Sequence, residues 1–151
     1  MESNLNAERY LVAVRVEKHW PNRVVIVVRE RRQEAWLRIN GVTYVLDSHG
    51  MALEQSSDLN DVPNMLEVRG LSVSRRPVLG SILTVSASWQ LPFLRSLCVE
   101  MRAMELTEVV RVCDLDNLQL CTAEGCWVRL GSTDELHQKL RVMTMVRDWL
   151  L

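Results

Sequence analysis

Apolar and polar positions alternate in the first part of the chain. Between Leu11 and Trp20 the apolar side chains Val12, Val14 and Val16 are interleaved with Arg15, Glu17 and Lys18, the period of two expected of a strand with one buried face. Trp20-Pro21-Asn22-Arg23 breaks the alternation, because proline presets φ for a turn and asparagine tolerates the left-handed region. The run Val24-Val25-Ile26-Val27-Val28 follows. Its β-branched content predicts a returning antiparallel strand, with Val24, Ile26 and Val28 in a core, or at an edge if the sheet is incomplete. A further hairpin is expected from Trp36–Ile39 and Val42–Leu46, since Asn40-Gly41 suits the two positive φ angles of a type I′ turn. Asp47-Ser48-His49-Gly50 predicts another turn, Met51-Ala52-Leu53 a short strand, and Glu54 to Asn60 a polar loop.

The period then changes. Pro63 to Gly80 reads as a loop holding one short strand around Leu66 to Leu71, with Pro77 and Gly80 as breakers. From Phe93 to Met104, the spacing of Leu94, Leu97, Cys98, Met101 and Met104 predicts an amphipathic helix with Pro92 in its first turn. The methionines of that stripe read as core fillers. Val109–Cys113, Leu118–Thr122 and Cys126–Leu130 predict a meander with turns at Asp116-Asn117 and Glu124-Gly125. Ser132-Thr133-Asp134-Glu135 has the form of a capping box. It predicts a second helix, whose stripe runs through Leu136, Leu140, Met143, Val146 and Leu150. Asn4 to Arg9 reads as the last turns of a helix, and the apolar ending Trp149-Leu150-Leu151 as a truncation. The fold class expected is α+β. A helix end plus β-hairpin occupies residues 1–33, and an antiparallel β domain with two amphipathic helices occupies 34–151.

Composition bounds the function classes. The 151 residues are 48% hydrophobic and 25% charged, an ordinary globular balance with enough chain for one medium domain or two small ones that touch. With 18 basic and 19 acidic residues the net charge is -1, so no global field favours nucleic acid. No apolar run reaches the ~18–20 residues of a membrane-spanning helix. Arg29, Arg31 and Arg32 cluster, interrupted by Glu30 and Glu34, which fits a solvated strand end.

Candidate chemistry is sparse. The chain has neither GxxxxGK[ST] nor GxGxxG, so a phosphate-cradling glycine turn is not expected. Cys98, Cys113, Cys121 and Cys126 form no CxxC pair, and no histidine stands at ligand spacing. All four fit the pattern of small buried hydrophobes. Cys121 and Cys126 flank Thr122-Ala123-Glu124-Gly125 within an expected hairpin, so they are also a candidate disulfide. His19 lies beside a turn, His49 in one and His137 on a polar helix face, so none is expected to be buried beside a cysteine. Asp114 and Asp116 share one turn, where acids are expected for conformational reasons alone. No catalytic, cofactor or metal residue is expected.

One segment carries more than local structure. Tyr10-Leu11, Val14, Val16-Glu17, Trp20-Pro21-Asn22 and Val24 to Arg31 resemble the FtsQ/DivIB family of bacterial division proteins. There a POTRA domain closes with a strand, a WPN-type turn, and a strand ending V-x-E-R-x-P. Val28-Arg29-Glu30-Arg31 matches that ending, Gln33 stands in place of the proline, and Ala35-Trp36 follows where the family begins its second domain. Asp47-Ser48-His49-Gly50-Met51-Ala52-Leu53 is similar to D-x-x-G-x-x-L. Val128-Arg129-Leu130-Gly131, leading to a helix with Lys139-Leu140, continues the resemblance.

The resemblance implies a non-catalytic, single-pass protein of the cell membrane. This region would lie on the extracytoplasmic side, at the division septum, and recruit other bitopic division proteins of the FtsB/FtsL or DivIC type. It implies no cofactor and no small-molecule substrate. The membrane anchor and first POTRA strand would precede Met1, and a last strand of the β domain would follow Leu151. Family members receive a partner by β-addition near that end, where an exposed edge supplies the hydrogen bonds. Arg29, Glu30 and Arg31, at the end of the POTRA strand, are candidate protein-binding residues on the same grounds, an edge kept open for a partner. Two other classes compete: a small hydrolase using a Cys/His or Asp/Asp site, and a POTRA-bearing transport or outer-membrane-assembly protein.

Overall fold

The computed structural model describes residues 9–150. The helix end expected over Asn4–Arg9 falls, apart from Arg9, outside them. Strands β1 (Leu11–His19) and β2 (Arg23–Glu30) pair antiparallel from Leu11↔Glu30 to His19↔Arg23 around the expected turn, with a bulge between Ala13 and Arg15. The Trp20–Pro21 peptide bond is cis. These two strands form a sheet of their own, a ribbon. Of the two placements expected for Val24, Ile26 and Val28, the core is excluded by exposures of 60%, 60% and 52%, and the strand of an incomplete sheet is what the described residues give. With no third strand or helix packed over it among the described residues, the ribbon has no inside for its alternation to select.

The other seven strands make one sheet in the order β5-β4-β3-β6-β7-β8-β9. On one side β3 (Ala35–Ile39), β4 (Val42–Leu46) and β5 (Ala52–Ser56) form an antiparallel meander. Its first turn has Asn40 at φ 50 and Gly41 at φ 80, as an Asn-Gly hairpin requires. On the other side β7 (Val109–Asp114), β8 (Leu118–Thr122) and β9 (Trp127–Gly131) form a second one. Between them lies β6 (Leu66–Val68), parallel to both β3 and β7. The domain expected to be antiparallel is therefore mixed. Chain returning to β7 through a helix enters the sheet in the same direction as β6, as crossover connections require.

Helices α1 (Gln90–Ala103) and α2 (Leu136–Leu150) supply the second layer. Directly opposed residues share a side of a sheet, so Ala35, Leu46 and Leu66 lie on one face. Over the β6–β8 part of that face, Leu94, Leu97 and Met101 of α1 and Leu140 of α2 close a core with Val68, Val112 and Leu120. Each fully buried leucine there contributes roughly 1.5–3 kcal/mol relative to exposure. Over the β3–β5 part, Leu37, Tyr44, Leu46 and Ala52 pack instead against Leu83, Val73 and Val85 of the long connection. That connection is held by Gln90, which is 1% exposed. Its Nε2 donates to Gly70 O at 3.1 Å and its Oε1 accepts from Ser72 N at 2.8 Å.

Helix α1 begins three residues before the expected Phe93 and keeps the expected stripe. The expected capping box does not form. Glu135 has φ 55, incompatible with a helical first turn, and the helix starts at Leu136. Ser132 instead accepts from Lys139 Nζ through its carbonyl at 2.7 Å and its hydroxyl at 3.2 Å.

Candidate functional site: an open sheet edge and the ribbon junction

Strand β9 ends the sheet, and its outer edge has no strand partner among the described residues. The sequence places it there because the Glu124-Gly125 turn folds Trp127–Gly131 back on β8 and nothing later in the described chain is a strand. Helix α2 lies alongside and leaves a groove of about 690 Å³. Val128, Leu130, Met143 and Val146 line it, and Lys139, Arg147 and Asp148 edge it. Val142, 58% exposed, also lines it, and Trp127 at 60% exposure extends the apolar surface beyond the groove. Arg147 is held in place by Glu108 at 3.3 Å and Asp148 at 3.1 Å.

At the other end of the domain, the ribbon meets the body through polar contacts. Tyr10 Oη donates to Glu54 Oε1 at 2.5 Å and accepts from Gln33 Nε2 at 2.8 Å. Burial, with the Glu54 hydrogen bond behind it, raises the Tyr10 phenol above its ordinary value. Arg31 pairs with the buried Asp47 at 2.8 Å, while the other Asp47 oxygen accepts from the backbone of His49 at 2.9 Å and Met51 at 2.8 Å. Glu34 pairs with Arg102 of α1. Of the three candidate protein-binding residues, Arg31 thus faces inward to a structural partner, whereas Arg29 and Glu30 stand exposed on β2. The Arg31–Asp47 pair bridges linker and turn, and no local pattern announces it.

The candidate chemistry of the sequence is dispersed. Asp114 Oδ1 accepts from the backbone of Asp116 at 2.8 Å and of Asn117 at 3.3 Å, so it organises the turn. His49 contributes its backbone to the Asp47 turn, His137 contacts Glu100 of α1 at 2.8 Å, and His19 contacts Glu17 at 3.3 Å. All four cysteines are free thiols. The register sets Cys121 opposite Trp127, not Cys126, with Cys121 buried and Cys126 exposed. Burial pushes the Cys98 thiol up to about 11, which suppresses the thiolate that nucleophilic chemistry needs. Among the described residues no group of three His, Cys, Asp or Glu could hold a metal ion, and no helix is long and apolar enough to cross a membrane.

One feature had no signal in the sequence. On the face of the sheet away from the helices, Glu54, Val45, Trp36, Glu67, Arg111, Cys121 and Trp127 stand in register across all seven strands. Arg111 Nε donates to Glu67 Oε2 at 2.5 Å, and Arg69 Nε donates to Glu67 Oε1 at 2.9 Å. Burial acts to raise the Glu67 carboxyl, but these two hydrogen bonds outweigh it and hold the group below its ordinary value.

What the ribbon, sheet and helices define is a mixed α+β domain whose accessible features are a sheet edge and a charged junction. No protein-family model matches the chain. No curated protein matches it in sequence. Among solved structures it is similar to the major extracytoplasmic domain of the trans isomer of the bacterial cell division protein DivIB from Geobacillus stearothermophilus. The identity is 14% and the TM-score 0.49, covering 78% of this chain and 96% of that one.

Proposed function

We propose that this chain is the extracytoplasmic part of a non-catalytic division scaffold of the FtsQ/DivIB type. In this reading residues 1–33 close a POTRA domain and 34–151 form the β domain. The protein is anchored in the cell membrane by a segment outside this chain and docks other bitopic division proteins at the septum. The observation that carries the reading is the β9 edge, unpaired among the described residues, beside the apolar groove of α2. An unpaired edge is a liability that folded proteins cover or charge, and a strand from a partner would satisfy its backbone while apolar side chains fill the groove. The WPN turn and the Glu30-Arg31 ending support the family assignment.

The test is titration with the soluble extracytoplasmic segments of FtsB/FtsL or DivIC-type proteins, followed by amide hydrogen exchange. Binding is expected to slow exchange across Trp127–Gly131. The exposed-site variants Trp127→Glu and Val142→Glu are expected to weaken it by roughly tenfold or more. Unchanged β9 exchange, or equal affinity in both variants, would sink the proposal.

A further inference from the structure

We propose that the cleft between the ribbon and helix α1 is a second docking site, distinct from the β9 edge. Its ligand would be an extended acidic peptide with apolar residues between its carboxylates. The cleft measures about 820 Å³ and draws its walls from elements far apart in sequence. From the ribbon and linker come Val12, Val28, Arg29 and Arg32, and from α1 come Arg95 and Val99. Arg95, Val99 and Arg102 fall at i, i+4 and i+7, so one helical face is turned to the cleft.

Charge selects the ligand. Five arginines line the cleft, and two are already neutralised, Arg31 by Asp47 and Arg102 by Glu34. Among the described residues Arg29, Arg32 and Arg95 have no ion-pair partner, and Glu30 is the one acid of the lining left without one. This local excess of positive charge stands in a chain whose net charge is -1. The two internal pairs tie the linker to the Asp47 turn and to α1, so Arg32 and Arg95 stand on elements held to each other. Guanidinium binds carboxylate in a fork geometry that suits peptide acids.

Shape favours a peptide over a small anion. The unpaired arginines sit on β2, the linker and α1, so they offer successive contacts along a ligand instead of one converging cage. Val12, Val28 and Val99 lie among them, giving apolar surface for the side chains that alternate with carboxylates along an extended strand. Rim charges of this kind steer encounter and fix register, and the apolar contacts hold the bound state.

The experiment uses the whole chain and a short fluorescent peptide alternating glutamate and valine, with a lysine-valine peptide as its counterpart. The acidic peptide is expected to bind, the basic one not, and binding should weaken steeply with salt. The double variant Arg32→Gln/Arg95→Gln, at exposed positions, is expected to lose roughly tenfold in affinity. The remote pair Arg75→Gln/Arg76→Gln, which lies by a different cavity, should leave it unchanged. No binding by the parent chain, equal loss in both double variants, or binding to anionic lipid vesicles in place of the peptide would overturn the proposal. Trp127→Glu separates the two docking sites. It should leave acidic-peptide binding intact even where it abolishes capture of a division partner, so either site can fail alone.

Discussion

Cys98 shows how one position carries both a core role and a chemical consequence. It sits on the buried stripe of α1 at 8% exposure, and desolvation lifts its thiol from 9.0 to about 11, with Glu34 adding to the shift. The folded chain therefore holds a proton that the unfolded chain releases near its ordinary value. The stabilisation is fully present below about pH 9 and is lost as pH rises through about 11. At neutral pH a thiol-alkylating reagent should modify the exposed Cys126 first and reach Cys98 only on unfolding, as read by mass spectrometry of peptides. Early labelling of Cys98 in the native protein would contradict this account and reopen the nucleophile reading. The burial of Cys98 was legible from its place among Leu94, Leu97 and Met101. Arg31 was not legible in the same way, because the acid that neutralises it lies in a turn 16 residues away.

At the level of elements, the hairpins and the second meander followed from alternation and turn chemistry, Asn40-Gly41 above all. The long connection between β6 and α1 did not, because its order comes from contacts without a period: the buried Gln90, the bridges Met51↔Ile82 and Val73↔Val85, and the packing of Leu83 against β3–β5. Polar residues in a core leave no periodic trace. Gln90→Leu preserves the volume but strands the Ser72 N–H and the Gly70 carbonyl, and a buried group left unpaired costs about 1–3 kcal/mol. Urea denaturation should show a loss of that order, while Gln138→Leu, on the exposed face of α2, should change little. Equal effects of the two would show that Gln90 is not the anchor. The missing capping box has a comparable cause. Its spelling is local, but Lys139 reaches back to Ser132 and the turn at Glu135 takes a left-handed residue.

For the whole molecule, the division lies between a thin ribbon and a two-layer body. Trp20 at the ribbon tip is 95% exposed, and Leu11, Val16, Val24 and Ile26 are all close to half exposed or more. Among the described residues nothing packs over the ribbon's faces, and two strands alone are marginal in water. Native-state hydrogen exchange should release the amides of Leu11–Glu30 at least roughly tenfold faster than those of Val109–Thr122. Uniform protection across both would mean that the ribbon and body open as one unit. The two proposed docking sites fall at opposite limits of this architecture, one at the last strand and one where the ribbon joins.

The three-residue strand β6 also orders events in time. Each flanking meander closes over turns of a few residues, whereas β6 meets β3 and β7 only after long excursions, with Glu67 and Arg111 separated by 44 positions. Local pairings form in microseconds, and distant ones wait for loop closure. On this topology the two meanders are expected to pair before the β6 seam closes. Leu66, Glu67 and Val68 then join the two halves of the sheet through the shortest pairings in it, two positions on each side.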